Sequence, residues 1–140
     1  MFIYSKKTLR IASLVIAILC CLSVVAPVAS ARASLYISSY VAYVSSGGSG
    51  KVLITFEITG TGKMDEIGST YIYVYENGTL VKTYSSTTTS GMMASNKVMQ
   101  SNYITHQGTT GKTYSAFVVF KAGVNGGYDN RSMDTNSITA

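Results

Sequence analysis

The stretch TYIYVYENGTLVKTY, Thr70 to Tyr84, decides how the whole chain is read. Two runs rich in β-branched and aromatic residues flank Asn77-Gly78, and both loop residues tolerate positive φ, so the stretch predicts a two-residue β-hairpin. Such a loop sets the register. It puts Tyr75 opposite Leu80, Val74 opposite Val81, Tyr73 opposite Lys82, Ile72 opposite Thr83 and Tyr71 opposite Tyr84. Ile72, Val74 and Val81 then share a buried face, and Tyr71, Tyr73, Tyr75 and Lys82 share an exposed one, with the lysine marking the water side.

Working outward, Lys51 to Thr59 alternates Val52, Ile54, Phe56 and Ile58 with Leu53, Thr55, Glu57 and Thr59, the pattern of a strand with one buried face. Thr113 to Lys121 has Tyr114, Ala116, Val118 and Phe120 on one side and Phe117 and Val119 on the other, as a central strand would. Further strands are expected at Tyr36–Ser45, near Lys97–Ile104, and around Asn130–Ile138. SSGGSG, Ser45 to Gly50, reads as a flexible link, and Ser85 to Asn96 as a long polar connection. No segment carries a 3.6-residue apolar stripe. The expected fold is all-β: a single seven-stranded antiparallel sandwich, immunoglobulin-like or fibronectin type III-like. Tyr114, just after a turn at the start of the sixth strand, stands where such sandwiches keep a tyrosine whose hydroxyl bonds the backbone of that turn.

Residues 1–33 read as an export signal: Lys6, Lys7 and Arg10, an apolar run from Ile11 to Val25, then small residues ending at Ala31 or Ala33. The sandwich domain is expected at 34–140, outside the cell, with no membrane segment once the signal is removed. Cys20 and Cys21 fall inside the apolar run, so the domain itself has no thiol for a disulfide or a zinc site. The whole chain has 11 basic and 6 acidic residues, a formal charge of +5. Four of the basic residues lie before Ser34, which leaves the domain near neutrality and without the dense basic face that nucleic-acid binding requires.

Gly111-Lys112-Thr113 matches the end of a phosphate-binding loop, but His106 replaces the glycine required five residues earlier, and a strand follows where a helix is needed to hold the anion. His106 is the only histidine. It reads as a solvated loop residue, and no serine near it sits in a nucleophile-elbow pattern. Asp65-Glu66, and Asp129 with Asp134, lack the spacing of a calcium loop; Asp65-Glu66 read as a turn cap. No metal, no cofactor and no catalytic residue is expected. Asn77-Gly78-Thr79 and Asn130-Arg131-Ser132 match the glycosylation sequon, which carries meaning only in a glycosylating host.

Three stretches, ITGTGKMDEIGSTYIYVYE (Ile58 to Glu76), SGMMASN (Ser90 to Asn96) and GKTYSAFVVFKAGVNGGYDNRS (Gly111 to Ser132), together resemble a domain-of-unknown-function family of small secreted proteins from Gram-positive gut bacteria. The resemblance implies export and a single β domain, and supplies no activity or ligand. From the residues, the expectation is a secreted, non-enzymatic binding or interaction module that meets an unknown protein or glycan at the cell surface through Tyr71, Tyr73, Tyr75 and Lys82, because tyrosine packs and stacks at low entropy cost. The alternative is a self-associating structural component of the cell envelope or matrix, assembled through strand edges.

Overall fold

The structure is a computed structural model that describes residues 33–140. The expected export signal lies outside the described residues but for Ala33. Among the described residues every regular element is a strand: β1 (Ile37–Gly48), β2 (Lys51–Met64), β3 (Glu66–Glu76), β4 (Thr79–Ser85), β5 (Met93–Ala94), β6 (Lys97–Gln107), β7 (Thr113–Val124), β8 (Gly127–Asp134) and β9 (Ile138–Thr139). They form an antiparallel β-sandwich. One sheet has the order β1-β2-β6 and the other β4-β3-β7-β8, with β5 added to β3 and β9 to β7. The first six expected strands overlap β1, β2, β3, β4, β6 and β7; the last, expected around Asn130–Ile138, straddles β8 and β9, and β5 is additional.

Three hairpins are closed by two-residue loops with positive φ at both positions: Ser49-Gly50 (52° and 77°), Asn77-Gly78 (47° and 80°) and Asn125-Gly126 (53° and 80°). This turn geometry matches the right-handed twist of the strands it joins. SSGGSG is therefore not a flexible link. β1 runs through it to Gly48, paired with Lys51.

The apolar alternation becomes the core. Val52, Ile54, Phe56 and Ile58 of β2 face Ile72 and Val74 of β3 and Tyr114, Ala116, Val118 and Phe120 of β7, all 1% exposed or less. Each large side chain buried here is worth roughly 1.5–3 kcal/mol against leaving it in water. Met92, from the polar connection, is fully buried as well. The side-chain amides of Gln100 and Asn102 hold its neighbour by bonding the Gly91 carbonyl at 2.8 and 2.9 Å.

Two bulges shift the phase of the alternation. In β3 the ladder slips between Ser69 and Tyr71. The extra residue, Thr70, lets Ile67 and Ile72 both point inward although five positions separate them, and it turns Tyr71, Tyr73 and Tyr75 outward. Ser69, buried at the slip, is satisfied by the carbonyls of Val119 (3.1 Å) and Tyr71 (3.2 Å). In β4 the slip falls between the Tyr75–Leu80 and Val74–Lys82 pairs, leaving Val81 as the extra residue. The register expected from the loop length holds for Tyr75–Leu80 only. Beyond it Lys82 lies opposite Val74 and Tyr84 opposite Ile72, so Lys82 leaves the tyrosine face and Val81 is exposed rather than buried.

Strand edges carry side-chain hydrogen bonds of their own. The amide of Asn136 accepts from the Val44 nitrogen at 2.9 Å and donates to the Val44 oxygen at 3.0 Å, on β1. At the start of β1, the Asp129 carboxylate accepts from Ser34 Oγ (2.6 Å), Leu35 N (2.7 Å) and Tyr36 N (3.1 Å), and these bonds, Ser34's first, hold its pKa below the usual range.

Candidate functional site

The outer face of the larger sheet is built from the residues that the β3 bulge turns outward. Successive rungs across β3 and β7 pair Tyr75 with Ser115, Tyr73 with Phe117 and Tyr71 with Val119. Tyr71 and Tyr73 stack at 6.0 Å between ring centroids, and Tyr73 tilts against Phe117 at 6.2 Å. Tyr71 is 43% exposed while Tyr73 and Tyr75 are half-buried against their neighbours. Of the four expected contact residues the face gathers the three tyrosines, and adds Phe117, Val119 and Leu80; Lys82 points elsewhere, its ammonium 5.6 Å from the Tyr84 ring centre. The alternation in β7 already marked Phe117 and Val119 as a second face.

Towards the β2–β3 corner the same face opens into two hollows. Glu66, Gly123 and Tyr128 form one rung. Gly123 has no side chain to cover it: a Cβ there would come within 2.7 Å of Tyr128 Cβ and 2.5 Å of the Gly127 oxygen. The resulting hollow has a volume of 470 Å³. Lys121 Nζ bridges to Glu66 Oε2 at 2.7 Å and lies 4.9 Å from the Tyr128 ring centre. On the other side of this ion pair is a hollow of 290 Å³ lined by Thr70, Ser86, Met93 and Ser95. Asp65, expected to cap its own turn, instead binds the β7–β8 turn by accepting from Asn125 N at 2.9 Å.

At the opposite end of the sandwich a polar cluster lies between the sheets. Tyr114 is fully buried; its hydroxyl donates to Glu76 Oε2 at 2.6 Å and accepts from Thr109 N at 2.7 Å, the tie to the preceding turn expected of a tyrosine at this place. Gly108 serves this tie by leaving room, because a Cβ there would fall 2.6 Å from the Tyr114 ring. Glu76 also pairs with Lys112 at 3.1 Å, and the Tyr114 hydroxyl followed by Lys112 keeps its carboxyl below the usual pKa. His106 is not a loop residue. It lies on β6 opposite Val52, so it faces inward, and shares a 3.0 Å hydrogen bond with the Tyr84 hydroxyl. Burial, then the charge of Lys82, lowers its pKa, and burial raises that of Tyr84. Through these bonds the cluster joins β3, β4, β6 and β7.

Among the described residues no group of three or more histidine, cysteine, aspartate or glutamate side chains could hold a metal ion. Asp65, Glu66 and Asp129, weighed above as calcium ligands, are each engaged by an internal donor. Compared with known protein families, curated proteins and solved structures, the chain matches none.

Proposed function

We propose that this protein is a secreted, non-enzymatic sandwich of the immunoglobulin or fibronectin type III kind, related to the small secreted proteins it resembles, and that it acts outside the cell as a binding module. Its contact surface is the outer face of the larger sheet. One observation carries the reading: Tyr71, Tyr73, Tyr75, Phe117 and Val119 lie side by side on the water-facing side of two central strands. An open antiparallel sheet ordinarily presents polar residues there, and a contiguous apolar or aromatic patch on such a face marks a contact site. The three-and-four strand order and the tie of Tyr114 to its turn support the fold type.

The partner is a protein or glycan of a cell surface. Strand-edge assembly has less to recommend it, because β4 is bulged at its edge and β8 carries Arg131 and Asp134, both features that discourage edge pairing. The test is an array of glycans and surface proteins probed with the protein and with Tyr73→Ala. A ligand captured by the first and weakened roughly tenfold or more in the second is the expected result, the loss typical of a central aromatic anchor. Capture that ignores Tyr73→Ala, or no capture at all, overturns the reading.

A further inference from the structure

We infer that the two hollows astride the Glu66–Lys121 ion pair form a binding site for a neutral saccharide. The inference rests on the binding-module reading and names a ligand class for one end of the same face.

The ion pair sits where it contributes little to the fold. It is on the surface, with the Glu66 side chain 57% exposed, and pairs of this kind are worth about 0–1 kcal/mol. What it offers is a fixed acceptor beside a fixed donor, facing open volume on both sides. A sugar hydroxyl is donor and acceptor at once, so adjacent hydroxyls can bond the carboxylate and the ammonium without separating them. An anionic ligand would meet Asp65 and Glu66, and a cationic one would have to compete with Lys121 for Glu66 at 2.7 Å. An uncharged polyol does neither.

The walls fit the same ligand. Tyr128, 57% exposed and oriented by Lys121, gives the C–H face of a pyranose ring an apolar surface to lie on. Thr70, Ser86 and Ser95 bring hydroxyl groups to the second hollow. Volumes of 470 and 290 Å³ are at the small end of ligand sites and suit one or two sugar rings. Gly123 keeps the larger hollow open, so the site depends on a residue that has no side chain.

The experiment is a two-dimensional amide NMR titration of the isotope-labelled protein with maltose, cellobiose and lactose, with glucuronate and glucosamine as charged controls. At least one neutral disaccharide is expected to shift the amides of Gly123, Gly126, Tyr128 and Ser95 saturably. Glu66→Gln should weaken that binding roughly tenfold, as expected for a hydrogen bond to a charged group. Tyr103→Ala, exposed on the outer face of the smaller sheet, should leave it unchanged, and the spectrum of each variant reports its fold directly. The inference is overturned if all three neutral sugars leave these amides still, if a charged sugar moves them more, if Glu66→Gln binds as well as the parent, or if Tyr103→Ala abolishes the shifts. If the sugars fail while the array still yields a Tyr73-dependent partner, the ligand class is wrong and the binding-module reading stands. If both fail, neither survives.

Discussion

The two ends of the sandwich use the same three residue types and put them to different use. At one end Glu76, Lys112 and Tyr114 meet; at the other, Glu66, Lys121 and Tyr128. Tyr114 is fully buried, its hydroxyl donates to the glutamate, and a backbone amide occupies its remaining hydrogen-bonding position. Tyr128 is more than half exposed, and its ring only touches the lysine that the glutamate holds. The difference comes from what lies above each trio. A turn and β6 close over the first, whereas Gly123 leaves space over the second. Burial of its tyrosine turns the first trio into a clasp although Lys112 stays 46% exposed, whereas the second, with tyrosine and glutamate both more than half exposed, keeps bonding capacity to spare.

The largest effect that could break this contrast is expected from Tyr114→Phe. It keeps the ring, removes the hydroxyl, and leaves Thr109 N and the Glu76 carboxylate without their shared partner. A loss of about 1–3 kcal/mol should appear as a lower denaturant midpoint with an unchanged slope; a shift too small to measure would mean that the clasp does not hold this end.

Acid should sharpen the contrast next. As pH falls below about 6.5 the unfolded chain takes up a proton at His106, which the folded chain resists because burial lowers that pKa, so stability declines from there. Glu76 and Asp129, both held below their ordinary values, stabilise the fold above the usual carboxylate range and lose that contribution as pH falls through their folded pKa values. All three act in one direction. Thermal melts across pH 3–8 should fall steadily on acidification, and His106→Gln should flatten the portion that begins just below about pH 6.5. A curve for His106→Gln that parallels the parent there would remove histidine from the account.

The smallest effect belongs to the open end. Glu66→Gln should change stability by less than about 1 kcal/mol. If it proved as damaging as Tyr114→Phe, the Glu66–Lys121 pair would be a structural element and the contrast between the ends would vanish.

Where the chain's alternation was strong, in Lys51 to Thr59 and Thr113 to Lys121, it could be read directly into strands with the right residues inside. Asn77-Gly78 marked its hairpin for the same reason: the demand for positive φ is local chemistry. The bulges at Thr70 and Val81 were not legible, because an extra residue in a ladder is defined by the partner strand and leaves no mark in composition. That is why Lys82 was expected beside the tyrosines. His106 was misjudged because the inner face of β6 carries Gln100, Asn102 and His106, which are satisfied by Gly91 and Tyr84 instead of by apolar contact, so the strand has weak hydrophobic periodicity. The hollows were beyond reach of the sequence as well. They need Glu66, Gly123 and Tyr128 in one rung; the Gly123–Tyr128 pair is local to a hairpin, but the Glu66–Gly123 pair joins strands far apart in the chain.

Asn136 has a consequence of its own. A carboxamide carries the same donor and acceptor as a peptide group, and by bonding both the nitrogen and the oxygen of Val44 it counterfeits one residue of a neighbouring strand. A single side chain thus ends the ladder on the flank of a twelve-residue strand that would otherwise be the longest template for a stranger's backbone. That forgery takes up one docking position on the exposed edge of the smaller sheet, where a second chain would otherwise pair.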